Sequence, residues 1–301
     1  MSGWTGVARK RVVVTGATSG IGLAAAEELA MRGARLTIVA RDHSKARSLA
    51  NRLDADVVIA DLASKNAVRR AADEILARYS KVDVLINNAG VYLTARQLTS
   101  DWIETTWAVN HLAPFLLTNL LLEQLKGSAP ARIITTASDA HARATIPFDD
   151  LDGTSAYAVR SLAGPGFARY AETKLANVLF TSELGRRLEG TGVTANCFHP
   201  GLVASGITRD LKGAARMTVR VMNAFSRSPK QGAETLVWLV DSPDVDGVSG
   251  GYFANKKRVE PAAAGRDIDI ARRLWEVSVE QTGPSSDRLQ EAVGRHVATL
   301  R

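Results

Sequence analysis

The chain has 301 residues, of which 46% are hydrophobic and 23% charged, so it can bury a full core and lacks the composition of a disordered chain. Its net charge of +7 is scattered along the sequence and not gathered in a basic tract, which argues against a nucleic-acid-binding protein. Cys197 is the single cysteine, so an intrachain disulfide is excluded. No signal peptide or bilayer-spanning apolar run is evident, and we expect a cytoplasmic protein with no transmembrane segment.

Short β-branched runs alternate with stretches rich in Ala, Leu, Glu and Arg, which is the pattern of repeated βαβ units around a parallel sheet. This pattern predicts an α/β fold. We predict strands at 11–14, 35–39, 56–60, 82–86, 132–135, 194–198 and 251–253, and helices at 21–32, 64–79, 102–125 and 167–188.

Three segments interrupt this alternation. Residues 139–166 contain Pro, Gly, Asp and Ser and predict a long loop, which in compact domains usually serves a function or is disordered. Residues 205–230 mix apolar and basic side chains and predict an amphipathic helix or helix pair. The extension 255–301 begins with basic residues and then predicts helices at 268–277 and 288–300. The sequence does not indicate where this extension packs against the rest of the fold.

A glycine-rich segment from Thr15 to Gly22 lies between the first predicted strand and the first predicted helix. Glycine permits a tight turn and close backbone approach, and the following helix N-terminus presents amide groups to an anion such as a pyrophosphate. An ordinary glycine-rich turn is the alternative, but this placement directly after a strand favours a dinucleotide site.

The second predicted strand ends in Ala40, Arg41 and Asp42. Dinucleotide sites that select NAD usually place an acidic residue here to bind the ribose, whereas NADP sites place an arginine nearby. Arg41 therefore indicates a partner for a 2′-phosphate and a preference for NADP(H) over NAD(H). The alternative is a surface arginine paired with Asp42.

Tyr170 and Lys174 lie one turn apart on the helix predicted at 167–188. A free phenol with a pKa near 10 is a weak base at neutral pH, and nearby positive charge brings it closer to the range useful for acid–base chemistry. Taken alone, the pair is also common on solvated helix faces.

The chain resembles the short-chain dehydrogenase/reductase family over about residues 10–254. The resemblance is carried by motifs in the family's order: the glycine turn 15–22, Asp61-Leu62, Asn87-Asn88-Ala89-Gly90, Asn110, Ser138, Tyr170 with Lys174, and Pro200-Gly201. It implies one doubly wound, Rossmann-type domain spanning residues 1–301, with 205–230 as the substrate lid.

The resemblance also implies a carbonyl or alcohol substrate and a role for each matching catalytic residue. Ser138 would hydrogen-bond the substrate oxygen, and Tyr170 would give or take the proton. Lys174 would bind the nicotinamide ribose and support Tyr170, while Asn110 would hold a water that connects Lys174 to solvent.

The cofactor positions follow the same motifs. Gly16, Ser19, Gly20, Ile21 and Gly22 would hold the pyrophosphate. The other positions would contact the adenosine and nicotinamide ends of the cofactor, and they are Arg41, Asp61, Leu62, Asn88, Ala89, Gly90, Tyr170, Lys174, Pro200, Gly201, Val203 and Ser205. The five histidines lack metal-ligand spacing, so no metal site is predicted.

The long insert and the segments 174–180 and 199–203 are similar to the retinol dehydrogenase and WW-domain oxidoreductase-like branch, which implies an apolar aldehyde, ketone or alcohol. The arginines of 205–230 either form a solvated face or contact a membrane surface or an anionic substrate. Two further alternatives are reduction of a carbon–carbon double bond and a non-catalytic NADP-binding sensor. Many family members pair through the helices that carry Asn110 and Tyr170, and a homodimer is expected.

Overall fold

A computed structural model describes residues 3–159, 161, 163–203 and 227–283. Within these ranges the strands form one sheet in the order β3-β2-β1-β4-β5-β6-β7-β8, parallel except for the last pair. The strands are β1 (Arg11–Thr15), β2 (Arg35–Ala40), β3 (Asp56–Ile59), β4 (Val84–Asn87), β5 (Ala131–Thr136), β6 (Val193–His199), β7 (Tyr252–Ala254) and β8 (Lys257–Val259).

Helices cover both faces of the sheet, which confirms the predicted doubly wound α/β fold. One face packs against α1, α2 and α7, and the other against α3, α5 and α6. The helices are α1 (Gly20–Met31), α2 (His43–Leu53), α3 (Lys65–Arg78), α4 (Thr105–Trp107), α5 (Ala113–Gly127), α6 (Phe167–Arg187), α7 (Pro229–Asp241) and α8 (Ile268–Thr282).

Strand β1 lies at the centre of this architecture. Val12 and Val14 are buried on one face of the sheet and Val13 on the other, because successive side chains of a strand point to opposite faces. β1 pairs with β2 on one side and with β4 on the other, so the chain reverses its winding direction here. In doubly wound sheets this reversal opens a crevice at the carboxyl ends of the strands, where ligands bind.

Two helices were not predicted from the sequence, although both carry capping signals. Asp42 accepts a hydrogen bond from the Lys45 amide at the start of α2. At the start of α7, Ser228 and Gln231 form a reciprocal capping box. Both helices are explained by these local bonds together with an apolar stripe against the sheet.

The helix predicted at 102–125 begins later and is interrupted. Trp102 has a φ of +59° in a tight turn, and Glu104 caps the first helical residues at Thr105. A π-helical turn at Ala108–Leu112 then separates α4 from α5. Such turns insert one extra residue into a helix and re-aim its side chains.

The C-terminal extension is part of the packed structure as far as residue 283. β8 forms a hairpin with β7, and α8 lies along α5 and α6, where Trp275 packs against Phe115 and Phe180. His111 Nε2 lies 2.8 Å from Ser278 Oγ of α8. α8 thus covers part of the face through which pairing was expected. The homodimer stays a prediction, and the covered part of this face would not be available to a second copy.

The insert at 139–166 begins with a 3-10 turn at Asp139–Arg143 and is anchored by a buried ion pair. Arg169 Nε lies 2.7 Å from Glu104 Oε2, and both side chains are fully buried. The same guanidinium donates to the Leu151 carbonyl, and the Tyr157 hydroxyl donates to Glu104. These bonds hold the middle of the insert against α4 and α6.

The predicted lid at 205–230 lies mostly outside the described residues, as does the helix predicted at 288–300. Val203, two residues before the predicted lid, forms a parallel bridge with Arg227 near its end, so these two parts of the chain lie side by side. Among the helices that the structure describes, none combines the length and apolar character needed to cross a bilayer.

Candidate active site

A cleft of about 740 Å³ lies at the carboxyl ends of the strands. The predicted cofactor positions within the described residues all line it, and they are Gly16, Ser19, Gly20, Ile21, Gly22, Arg41, Asp61, Leu62, Asn88, Ala89, Gly90, Tyr170, Lys174, Pro200, Gly201 and Val203. Ser205 lies outside the described residues. Ser138 also borders the cleft, whereas Asn110 is buried behind it.

The glycine turn is packed too closely for larger side chains. Gly16 has a φ of +70°, and a Cβ atom there would lie 2.7 Å from the Ala89 Cα. A Cβ atom at Gly22 would lie 2.3 Å from the Gly16 carbonyl oxygen. Ser19 precedes α1 without capping it through its side chain, so the first amides of the helix keep their capacity to bind an anion. The turn therefore fits a dinucleotide pyrophosphate.

Thr15 connects this turn to the next strand. Its hydroxyl donates to the Ile86 carbonyl and accepts hydrogen bonds from the amides of Asn88 and Ala89. The Asn88 side chain donates to the Thr15 and Gly16 carbonyls. Sequence reasoning did not single out Thr15, because its hydroxyl meets residues 88 and 89 only after β1 and β4 have paired.

The end of the cleft that is predicted to hold the adenosine contains two cationic side chains. Arg41 follows β2, and Lys45 lies in the first turn of α2 beside it. Asp42 accepts a hydrogen bond from the Lys45 amide, and its Oδ2 lies 3.2 Å from Lys45 Nζ. These two contacts lower the pKa of the Asp42 carboxyl. The alternative pairing of Arg41 with Asp42 does not occur within the described residues. Lys45 was missed, although a basic residue one turn after Arg41 was a usable signal.

The catalytic residues predicted from the sequence converge at the opposite end. Ser138 follows β5, and Tyr170 and Lys174 lie on α6. Lys174 Nζ lies 5.4 Å from the centre of the Tyr170 ring and donates to the Thr136 carbonyl at 3.0 Å. Ser138 Oγ donates to Asp139 Oδ1 at 3.2 Å and accepts a hydrogen bond from the Ala140 amide. The three side chains thus share one wall of the cleft.

The protein environment changes the acidity of both α6 groups. Burial raises the pKa of the Tyr170 phenol to about 12, although the nearby Ser138 hydroxyl offsets part of the rise. Burial lowers the pKa of the Lys174 ammonium to about 8. At neutral pH the phenol therefore carries its proton, and the ammonium is mostly charged.

Asn110 lies in the π-helical turn and binds the main chain of the cleft wall. Its Oδ1 accepts from the Val91 amide at 2.7 Å, and its Nδ2 donates to the Val91 carbonyl at 2.9 Å. Nδ2 also lies 3.1 Å from Thr173 Oγ1, between Tyr170 and Lys174 on α6. Asn110 thus connects the Val91 segment to the catalytic helix, and its water-binding role stays a prediction.

His141 fixes the segment that carries Ser138. His141 Nδ1 lies 2.7 Å from the Ser138 carbonyl, and Nε2 accepts from the Ala262 amide at 3.0 Å. The first bond requires a proton on Nδ1, and the second requires a free lone pair on Nε2. A neutral imidazole satisfies both contacts.

Comparisons with known proteins agree with this geometry. Residues 10–162 match the model of the short chain dehydrogenase family. The chain is 44% identical to retinol dehydrogenase 12 of Mus musculus and 41% identical to its retinol dehydrogenase 14, covering 91% of this chain and 86% of each relative. A short chain dehydrogenase from Burkholderia cenocepacia in complex with NADP aligns with a TM-score of 0.66 and 26% identity, covering 82% of this chain and 96% of that one.

The family match includes the glycine turn, Asn88–Gly90 and Ser138, which border the cleft, and the alignment with the retinol dehydrogenases covers 91% of the chain. The residues of the cleft and the retinol dehydrogenase relatives are both consistent with a nicotinamide-dependent oxidoreductase that acts on alcohol or carbonyl groups. The chain therefore belongs to the short-chain dehydrogenase family, in its retinol dehydrogenase branch.

Proposed function

We propose that this protein is an NADPH-dependent reductase of apolar aldehydes or ketones, with alcohol oxidation as the reverse reaction. The observation that carries the proposal is the convergence of Ser138, Tyr170 and Lys174 at one end of a cleft whose other end holds a glycine turn and two cations. The wall near Tyr170 includes Tyr92, Ala163, Phe167 and other apolar groups, which supports an apolar substrate.

In this proposal the N-terminus of α1 and the glycine turn hold the pyrophosphate. Asp61 and Leu62 would border the adenine, and residues 88–90 and 200–203 would enclose the nicotinamide end. Ser205 stays a predicted cofactor contact outside the described residues. When bound, the nicotinamide supplies the hydride. The protein supplies placement, the proton and electrostatic stabilisation.

Each catalytic side chain then has a defined task. Tyr170 donates its phenolic proton to the substrate oxygen, and Ser138 donates a hydrogen bond to the same oxygen as negative charge develops. Lys174, held by the Thr136 carbonyl, binds the ribose and stabilises the phenolate that remains. The raised pKa of Tyr170 in the cofactor-free protein keeps the phenol protonated at neutral pH, which is the form that donates a proton in carbonyl reduction.

A substrate screen tests the proposal directly. Aliphatic, aromatic, steroid and terpenoid carbonyl compounds are offered, and the loss of NADPH absorbance is followed. We expect turnover of at least one apolar class. NADPH binding without turnover of any class would instead favour the sensor alternative, and consumption of an enone at its double bond would favour the alkene reductase alternative.

Arg41→Ala is expected to reduce the preference for NADPH over NADH by roughly 10–100-fold, because a charge-assisted bond to a phosphate contributes about 1.5–3 kcal/mol. The measurement is the ratio of kcat/KM values for the two cofactors. Arg35→Ala is the matched control, since Arg35 is an exposed arginine at the other end of the same strand. An unchanged ratio in Arg41→Ala would contradict the role of Arg41.

A further inference from the structure

We propose that Tyr92 is a positioning and specificity-determining residue. Its hydroxyl holds residues 163–165, which border the substrate site, and its ring holds the side chain of Tyr170 in place. This inference rests on the proposed function. Tyr92 follows the 87–90 motif at the end of β4, lines the cleft, and is only 7% exposed.

The hydroxyl of Tyr92 binds the end of the insert. It lies 2.8 Å from the Pro165 carbonyl oxygen and 3.1 Å from the Ala163 carbonyl oxygen. A phenol has one proton, which these two acceptors share. Because Ala163 and Phe167 both line the cleft, this bond fixes the part of the wall next to Tyr170.

The backbone at Gly166 shows how closely this part of the insert approaches the Tyr92 segment. Gly166 has a φ of +76°, and a Cβ atom there would lie 2.0 Å from the Leu93 carbonyl oxygen. No side chain caps the start of α6 at this residue. The chain therefore has no room for a side chain at position 166, and the Tyr92 hydroxyl binds the segment that leads into the catalytic helix.

The ring of Tyr92 makes a separate contact. It packs edge to face against Tyr170, with the ring centres 5.6 Å apart and the planes at 82°. The base of Tyr92 is rigid, because Asn110 binds both the amide and the carbonyl of the preceding Val91. The ring therefore limits the rotation of the Tyr170 phenol, whose orientation sets the path of its proton.

Two substitutions separate these contributions. Tyr92→Phe removes the hydroxyl and keeps the ring, so we expect KM for a bulky polycyclic aldehyde to rise about fivefold while kcat stays within about twofold. The KM for a short aliphatic aldehyde should be unchanged. Tyr92→Leu removes the ring as well, and we expect kcat to fall roughly 10–100-fold for both aldehydes.

Hydrogen exchange supplies a readout that does not depend on turnover. The amides of Ala163, Gly164, Gly166 and Phe167 should exchange about fivefold faster in Tyr92→Phe than in the wild type, because a bond holding this segment is lost. Tyr79→Phe is the matched control, since its buried hydroxyl has no partner among the described residues and does not border the cleft. This control should change neither KM nor exchange at 163–167.

The outcomes separate this inference from the proposed function. A wild-type protein that turns over no carbonyl compound contradicts the proposed function, while exchange at 163–167 still tests the hydroxyl contact. With an active wild type, a Tyr92→Phe variant that has unchanged KM for the bulky aldehyde and unchanged exchange overturns the wall assignment. A Tyr92→Leu variant with wild-type kcat would show that the Tyr92 ring does not orient Tyr170.

Discussion

Tyr170→Phe is expected to lower kcat for carbonyl reduction by roughly 10²–10⁴-fold, which is the usual contribution of a positioned general acid. The substitution removes only the hydroxyl, so the ring keeps its edge-to-face contact with Tyr92. Only one of the predicted cofactor contacts is lost, so the Kd for NADPH should change far less than kcat. Single-turnover oxidation of bound NADPH, together with the Kd for NADPH, distinguishes lost proton transfer from lost binding.

Tyr79→Phe again serves as the control, because it removes a tyrosine hydroxyl at a distance from the cleft. It should retain wild-type turnover. If Tyr170→Phe also turned over at the wild-type rate, proton donation would have to come from another group, and the proposed mechanism would be wrong.

Lys174→Met is expected to abolish efficient turnover and at the same time to stabilise the cofactor-free protein. The Lys174 side chain is buried, and its pKa is lowered from 10.5 to about 8. A shift of this size corresponds to roughly 3 kcal/mol of unfavourable free energy for the charged form in the native state. The methionine side chain is similar in size and carries no charge.

The sign of the pH dependence follows from proton binding. Between pH 8 and 10.5 the unfolded chain binds more protons at Lys174 than the native state does, so the wild type gains stability as the pH rises. The free energy of unfolding of Lys174→Met should exceed that of the wild type by about 3 kcal/mol at pH 7. This difference should shrink to below about 1 kcal/mol at pH 10.

Denaturant unfolding of the cofactor-free proteins at pH 7 and pH 10 measures this difference. Lys81→Met is the control, because Lys81 is an exposed lysine at which the substitution should change stability by less than about 0.5 kcal/mol at either pH. An advantage of Lys174→Met that is equal at both pH values would show that Lys174 is not penalised by burial. The expected result would mean that the active site retains a cation at a cost in stability, which is common where function requires a buried charge.

Local signals in the sequence were sufficient for most of the sheet. β1 and β2 are runs rich in β-branched residues that are buried on both faces, and such runs are recognisable without tertiary information. β8 was missed because it is a three-residue exposed strand that depends on β7 as its partner. The helix expected from residue 102 begins at Thr105, because the preceding turn places Trp102 at a positive φ.

Residue types at short spacing were enough to predict the parallel sheet and the glycine turn. The catalytic side chains were predicted from the family resemblance, and their roles stay a prediction. Tertiary structure alone decided which residues support them. Tyr92 meets Pro165, and Asn110 meets Val91 and Thr173, across separations of 73, 19 and 63 residues. No local pattern encodes such contacts, because they form only after strand order and helix packing bring distant segments within hydrogen-bond distance.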